Sequence, residues 1–451
     1  MAIAARVQAA TPAGRYRYAD FLRVASILVV VFGHWLLLTV RQHGDQLEFG
    51  NVLVDIPWTR WLTWLLQVMP VFFLVGGYAN AASLEAARRK GEHPVGWLRG
   101  RAMRLYWPVI PFLLLWTAIV AALAMLGSSP EFLKTLSQVV LVPAWFLAAY
   151  LAVVALSPWT YALHKRHGWT ALGAMAALAV AVDVASRFGG VPFLGWSTYV
   201  FVWAAVHQVG YFWRDGRLPR TVPGRLALAA AGYAALATLV FVAGYPLGMV
   251  GANGAGVAET QTNTTPPSIA LAALAIGQLG LLLAIEGPAT RWLERPRAWA
   301  AVALVGSSIM TVYLWHMSAM VAVAAAVLPG AWWPKAASLD ATYWALRPVW
   351  LLFLLAVLAL LVLAFRRFER APTPRAAGAS VGAGLVAALG VVLTGAGMAA
   401  TVLGGLHAPS MPLGIPLVPL GLVLAGLAAL GVLRSQKTHA ASDGAATTEG
   451  R

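Results

Sequence analysis

The chain contains no cysteine. That excludes disulfides, thiolate metal sites and any covalent relay through a Cys thioester. Charge is scarce too: 11% of residues are Asp, Glu, Lys or Arg, where a soluble domain carries about 25%. Neither a Walker A sequence nor a G-x-S-x-G elbow occurs, which argues against an ATP-driven pump or a serine hydrolase of the usual type. In their place stands apolar sequence. Of 451 residues 60% are hydrophobic, and mean hydropathy is +0.74. Runs of about 20 apolar residues recur, each long enough to cross a bilayer. They lack the alternating period of a barrel, so the spans are helices. The chain reads as an all-α polytopic membrane protein.

Apolar spans fall at 20–41, 58–83, 105–126, 138–160, 169–186, 193–213, 225–244, 269–286, 299–325, 346–367, 379–405 and 415–434. The segments 84–104, 213–225, 287–298 and 366–375 are rich in Arg, whereas 42–57, 127–137, 245–268 and 406–414 are nearly free of Lys and Arg. This alternation explains the net charge of +16 as the positive-inside pattern, not as nucleic-acid binding, and puts both termini in the cytosol. Arg6, Arg15 and Arg17 precede the first span with no small-residue cleavage site, as in an uncleaved first helix. The loop 245–268 is read as a mobile external flap or a plain flexible connector. Gly395-Ala396-Gly397 is read as helix packing. Four segments follow: 1–19 cytosolic, 20–370 a core of about ten helices, 371–434 two added helices, and 435–451 a disordered tail.

Arg23 and His34 lie inside the first span, where ionisable residues are costly and normally mark a functional path. Their separation is within about 20° of three full helical turns, so both side chains share one face, about 16 Å apart along the axis. Arg23 is expected near the cytosolic surface and His34 at depth.

RYADFLRVASILVVVFGH (17–34) resembles the opening signature of the acyltransferase 3 family of integral membrane enzymes, with its Arg, ten residues, His arrangement. MPVFFLVGGY (69–78) resembles the second-helix Phe-Phe-x-x-Ser-Gly segment, and Arg101-Ala102-Met103-Arg104 is similar to the cytosolic Arg-x-x-Arg motif. PAWFLAAYLAVVALSP (143–158) resembles the Trp-Phe-Leu helix, and GSSIMTVYLWH (306–316) the later Ser…Tyr-Leu-x-His helix. The resemblance implies transfer of an acyl group, often acetyl, from cytosolic acyl-CoA to a hydroxyl of an extracytoplasmic acceptor. That acceptor would be an envelope carbohydrate, a glycolipid or a related molecule.

The residues fit that chemistry. CoA phosphates call for Arg forks, and Arg101 and Arg104 are i, i+3 neighbours at the cytosolic mouth, with Arg23 nearby. An arm of about 16 Å, some five extended residues long, would bring the thioester to His34. There the imidazole would act as general base or form an acyl-His intermediate. Asp20 is read either as a partner of Arg23 or as a helix N-cap. His316, behind Tyr313, is read as an oxyanion or acceptor ligand or as a structural group, and Trp145 as packing or as an aromatic floor. Asp183, His207 and Glu286 receive no role. One departure stands out: Gly76-Gly77 occupy the position of the family's Ser-Gly, where they permit close backbone approach. No metal site is expected. The alternative reading is a proton-coupled transporter with His34, His316 and Asp183 on its path.

Overall fold

The computed structural model describes residues 2–12, 14–43, 46–191, 193–251, 262–329, 339–372 and 380–433. The tail read as disordered and the middle of the 245–268 loop lie outside them. A short helix, α1 (Ala2–Ala9), precedes the long α2 (Arg17–Leu37). The segment before the first span is therefore a built element. Trp299 Nε1 donates to Thr11 Oγ1 at 2.7 Å, and the Arg17 guanidinium lies 5.0 Å from the Trp299 ring.

The first span ends earlier than its apolar run. Leu38 is extended, and β1 (Leu38–His43) pairs antiparallel with β2 (Gln46–Asn51), Thr39 opposite Gly50. This hairpin is a small exception to the all-α architecture. The expected 58–83 span corresponds to one stretch, Pro57–Arg89, long and apolar enough to cross a membrane, but it is built from successive helical pieces. After α3 (Val52–Asp55) a 3₁₀ turn and α4 (Thr63–Leu66) lead to a break at Gln67 before α5 (Met69–Arg89). Pro70 suits the first turn of α5, where its missing N–H is no loss. Gln67 fills the break: its Nε2 donates to Met249 O at 2.8 Å and its Oε1 accepts from Met69 N at 3.1 Å.

Next, α6 (Pro94–Tyr106) bends by 40° into α7 (Val109–Met125). Then come α8 (Pro130–Val140), α9 (Val142–His167), α10 (Trp169–Arg187), α11 (Thr198–Arg214) and α12 (Val222–Phe241). A 56° bend joins α13 (Ile269–Ala284) to α14 (Glu286–Leu293). The expected 299–325 span is again two helices, α15 (Pro296–Gly306) and α16 (Ile309–Val327), parted at Ser307-Ser308. Glu369 holds the new helix start, accepting from Thr311 N at 2.7 Å and Thr311 Oγ1 at 3.0 Å. A carboxylate there also complements the helix dipole. The chain closes with α17 (Ala341–Phe365), α18 (Val381–Gly404) and α19 (Leu417–Ala429).

Eight helices among the described residues are long and apolar enough to cross a membrane, or up to ten if each bent pair is one span. The other two expected spans correspond to α11, with 17 residues, and α19, with 13. Glycines set the closest helix approaches. A Cβ on Gly77 would lie 1.9 Å from His207 O, and one on Gly210 would lie 2.2 Å from Leu74 O, so α5 and α11 meet backbone to backbone. The added helices pack in the same way: a Cβ on Gly397 would meet Pro419 O at 2.7 Å, whereas Gly395 faces open space. Helix α18 runs against α9 and touches α8 and α6, so the pair docks onto the core.

Candidate active site

Helix α2 carries the first two candidate residues. Its N-cap is Tyr16, and Asp20 lies inside the first turn, so the N-cap alternative for Asp20 does not hold. Asp20 instead pairs with Arg15 at 2.7 Å and with Arg23 at 3.4 Å. Exposed pairs of this kind contribute at most about 1 kcal/mol; their effect here is to aim Arg23. The Arg23 Nε is buried and has no hydrogen-bond partner among the described residues.

Eleven positions further along α2, His34 meets His316 of α16. His34 Nδ1 lies 2.8 Å from His316 Nε2. The ring planes differ by 13° and the centroids are 5.1 Å apart, so the contact is edge to edge, with the nitrogen lone pair in plane. The rest of the network assigns the protons. His316 Nδ1 lies 2.6 Å from Tyr313 O, which can only accept, so Nδ1 donates. With both rings neutral, His316 Nε2 is then an acceptor and His34 Nδ1 its donor. That leaves His34 Nε2 with a free lone pair. Assigned in this way from the hydrogen-bond network, the tautomer is the one a general base needs. His34 is half-buried, and its Nε2 makes no hydrogen bond among the described residues. His316 is fully buried, fixed further by Trp35 Nε1 donating to its carbonyl at 3.0 Å. Tyr313 is held in turn by its hydroxyl, which donates to Pro143 O at 2.9 Å. Sequence spacing placed both histidines on apolar helices; that they touch is a product of packing.

The two motif arginines diverge. Arg104 is exposed and donates from Nε to Gly100 O at 3.3 Å. Arg101 turns inward: its Nη2 reaches Ala79 O at 3.3 Å, its guanidinium lies 5.5 Å from the Trp97 ring, and its Nε is buried without a partner among the described residues. Arg101 is within electrostatic range of Arg23, Arg104 and Tyr150. Arg101 thus shares the Arg23 end of α2 electrostatically with Arg23 and with the exposed Arg104, and the Nε donors of Arg23 and Arg101 have no partner among the described residues.

Tyr150 was not singled out by sequence reasoning, yet it explains the missing Ser. A Cβ on Gly76 would lie 2.8 Å from the Tyr150 hydroxyl. The space a Ser side chain would take is filled by a phenol, supplied from α9. Gly76→Ser is expected to cost about 1–3 kcal/mol by overpacking, read as a lower unfolding midpoint in detergent. Tyr150→Phe, which removes the nearest atom, should restore part of that loss; a Ser variant as stable as the parent would sink the steric account.

The remaining candidates are scattered. Trp145 is half-buried and packs edge-on to Phe146 and Tyr199 at 6.4 and 6.1 Å. His207 lies 3.0 Å from Asn80. Glu286 accepts from the Tyr16 hydroxyl and pairs with Arg225 at 3.1 Å. Burial, and then the bond to Glu286, push the Tyr16 phenol well above its ordinary pKa and keep it a donor. Asp183 does not join the histidines. It is clamped by Arg187 at 3.1 Å, Tyr245 Oη at 2.7 Å and Ile269 N at 3.1 Å, which ties down the described ends of the 245–268 loop. Among the described residues Asp183 makes no direct hydrogen bond to either histidine. A second residue missed from sequence is Arg347 of α17. It is buried and donates to Leu38 O, at the end of α2, at 3.0 Å and to the Tyr343 hydroxyl. A cation on the last carbonyls complements the helix dipole and steadies the turn beyond His34.

Comparison with known proteins identifies the family. Residues 16–367 match the family Acyl_transf_3, described as an acyltransferase domain. No curated protein and no solved structure matches the chain. The match takes in α2 through α17, and with them both histidines and the arginine cluster. The chain belongs to the acyltransferase 3 family and is a multi-pass membrane acyltransferase.

Proposed function

We propose that the enzyme takes an acyl group, acetyl in the first instance, from cytosolic acyl-CoA and esterifies a hydroxyl of an acceptor reached from the opposite face. The acceptor class is envelope carbohydrate or glycolipid. The enzyme sits in the plasma or inner membrane with both termini cytosolic, as the Arg-rich loops favour. Arg23, Arg101 and Arg104 bind the CoA phosphates; the two unmet Nε donors support that role.

The observation that carries this reading is the His34–His316 pair. His34 Nε2 takes the proton of the acceptor hydroxyl as its oxygen attacks the thioester carbonyl. The tetrahedral intermediate collapses, the C–S bond breaks, and the departing CoA sulfur receives the proton from His34. The products are the acyl ester and free CoA thiol. His316 Nε2, the acceptor of His34 Nδ1–H, stabilises the transient imidazolium. Tyr313 and Pro143 hold His316.

Membranes carrying the chain and supplied with acyl-labelled acetyl-CoA should move label to a non-cytosolic product and release one CoA thiol per acyl group. Folded protein that gives neither label transfer nor CoA release, across acetyl and longer donors and with host envelope as acceptor, would overturn the reading.

A further inference from the structure

A cavity of about 200 Å³ opens where the start of α2, the middle of α5, the end of α11 and the α13–α14 bend come together. Its walls are aromatic. Tyr16 and Tyr78 lie 4.8 Å apart, Tyr78 and Trp213 5.0 Å, and Tyr16 and Trp213 6.0 Å, none of the pairs parallel. Its rim is cationic, with Arg214, Arg220 and Arg225 against the carboxylate of Glu286.

Charge accounting separates these arginines. Arg225 is committed, donating to Pro219 O at 3.0 Å and Leu283 O at 2.6 Å and pairing with Glu286 at 3.1 Å. Arg214 reaches Glu85 at 3.3 Å, but its Nε is buried with no partner among the described residues. Arg220 is exposed and forms no ion pair among the described residues. The rim therefore has spare cationic capacity and one unmet buried donor, beside three π faces.

Size limits the occupant. Pockets for whole small ligands measure about 300–1,000 Å³, so this cavity takes one planar moiety while the rest of its molecule lies outside. A flat ring attached to phosphates fits all three features. Aromatic faces stack on a base, and Arg forks take phosphate oxygens in pairs. The charged head of an anionic lipid would use the rim and leave the aromatic walls idle. The position also fits: Arg101 donates to Ala79 O, next to Tyr78 on α5. The cavity therefore opens beside the arginine cluster.

We propose that this cavity seats the adenine of the acyl-CoA donor, with Arg220 and Arg214 facing the ribose 3′-phosphate and the diphosphate left to Arg23, Arg101 and Arg104. The proposal rests on the acyl-CoA reading above and adds the nucleotide's place to it. Adenosine 3′,5′-bisphosphate is the binding probe, measured by calorimetry on the full chain in detergent. S-acetylpantetheine, which lacks the nucleotide, is the comparison donor. The wild-type chain should bind the bisphosphate. Arg220→Ala, an exposed change that spares folding, should weaken that binding about tenfold and cut the preference for acetyl-CoA over S-acetylpantetheine by a similar factor. Trp213→Leu should do the same where its folded fraction permits. Unchanged binding and unchanged donor preference in Arg220→Ala, with wild-type transfer intact, overturn the adenine seat and leave the acyltransferase reading standing. Bisphosphate binding that is lost in the variants, in a chain that transfers from neither donor, supports the nucleotide site and counts against acyl-CoA as donor. Displacement by short-chain phosphatidylglycerol without any bisphosphate binding overturns the proposal in favour of a lipid headgroup.

Discussion

His34→Ala is expected to lower acyl transfer by about 10²–10⁴-fold, the range a positioned general base contributes, without unfolding the protein. The side chain is half-buried, and among the described residues its one hydrogen bond is to His316, so its removal leaves a small space and one unpaired acceptor. The informative comparison is at position 316. His316→Ala removes the acceptor that keeps the proton on His34 Nδ1, so His34 is free to adopt the wrong tautomer; the expected loss is smaller than for His34→Ala but still large. His316→Gln retains an amide oxygen that can accept from Nδ1–H and should recover part of the activity. Turnover across pH, with folded fraction checked by gel filtration, separates the outcomes. A catalytic role shifts the profile in His316→Ala and shows partial rescue by Gln. Full activity in His34→Ala removes the imidazole from the chemistry altogether. An acyl-His intermediate would appear as label retained on the wild-type chain after donor alone.

Asp183→Ala is expected to destabilise the fold by about 3–5 kcal/mol, the cost of removing one partner from a buried ion pair. Both side chains are nearly inaccessible, at 2% for Asp183 and 7% for Arg187. The substitution also strips the acceptor from the Tyr245 hydroxyl and the Ile269 N–H, and the two ends of the 245–268 segment lose their common anchor. Thermal unfolding in detergent should show a large drop for Asp183→Ala. Asp183→Leu combined with Arg187→Met should lose less, because no charge is left buried and unpaired, but should stay below wild type, since the Tyr245 hydroxyl and the Ile269 N–H still lack their acceptor. A single variant within about 0.5 kcal/mol of wild type, the range of ordinary surface changes, would show that the clamp carries little. A specific loss of transport-like proton movement without loss of stability would instead return Asp183 to a functional path.

Much of this protein is legible along the chain. The Arg23–His34 spacing follows from helical geometry alone, and the Arg-rich alternate loops follow from charge bias. The hydrophobic runs fix the type of the long elements because a bilayer admits no other way to satisfy the backbone. Even the Gly76-Gly77 pair signals close approach before any partner is known. The errors arose where span and helix part company. Gln67, the Ser307-Ser308 step and the α2–hairpin junction sit inside or beside continuous apolar sequence. Side-chain bonds such as Gln67 to Met249 and Glu369 to Thr311 stabilise those breaks, and hydropathy carries no trace of them.

What only the tertiary structure decided is pairing between distant positions. His34 and His316 are 282 residues apart in sequence and share a hydrogen bond, and the Tyr313 carbonyl selects the tautomer. Tyr150 fills the volume left by Gly76, Arg347 caps α2, and Tyr16, Tyr78 and Trp213 enclose one cavity. Periodicity records which face of a helix is apolar; it holds no information about which helix that face will meet. A helix can be read from its own residues because its bonds are local, but a site built across helices exists only once packing has chosen their neighbours.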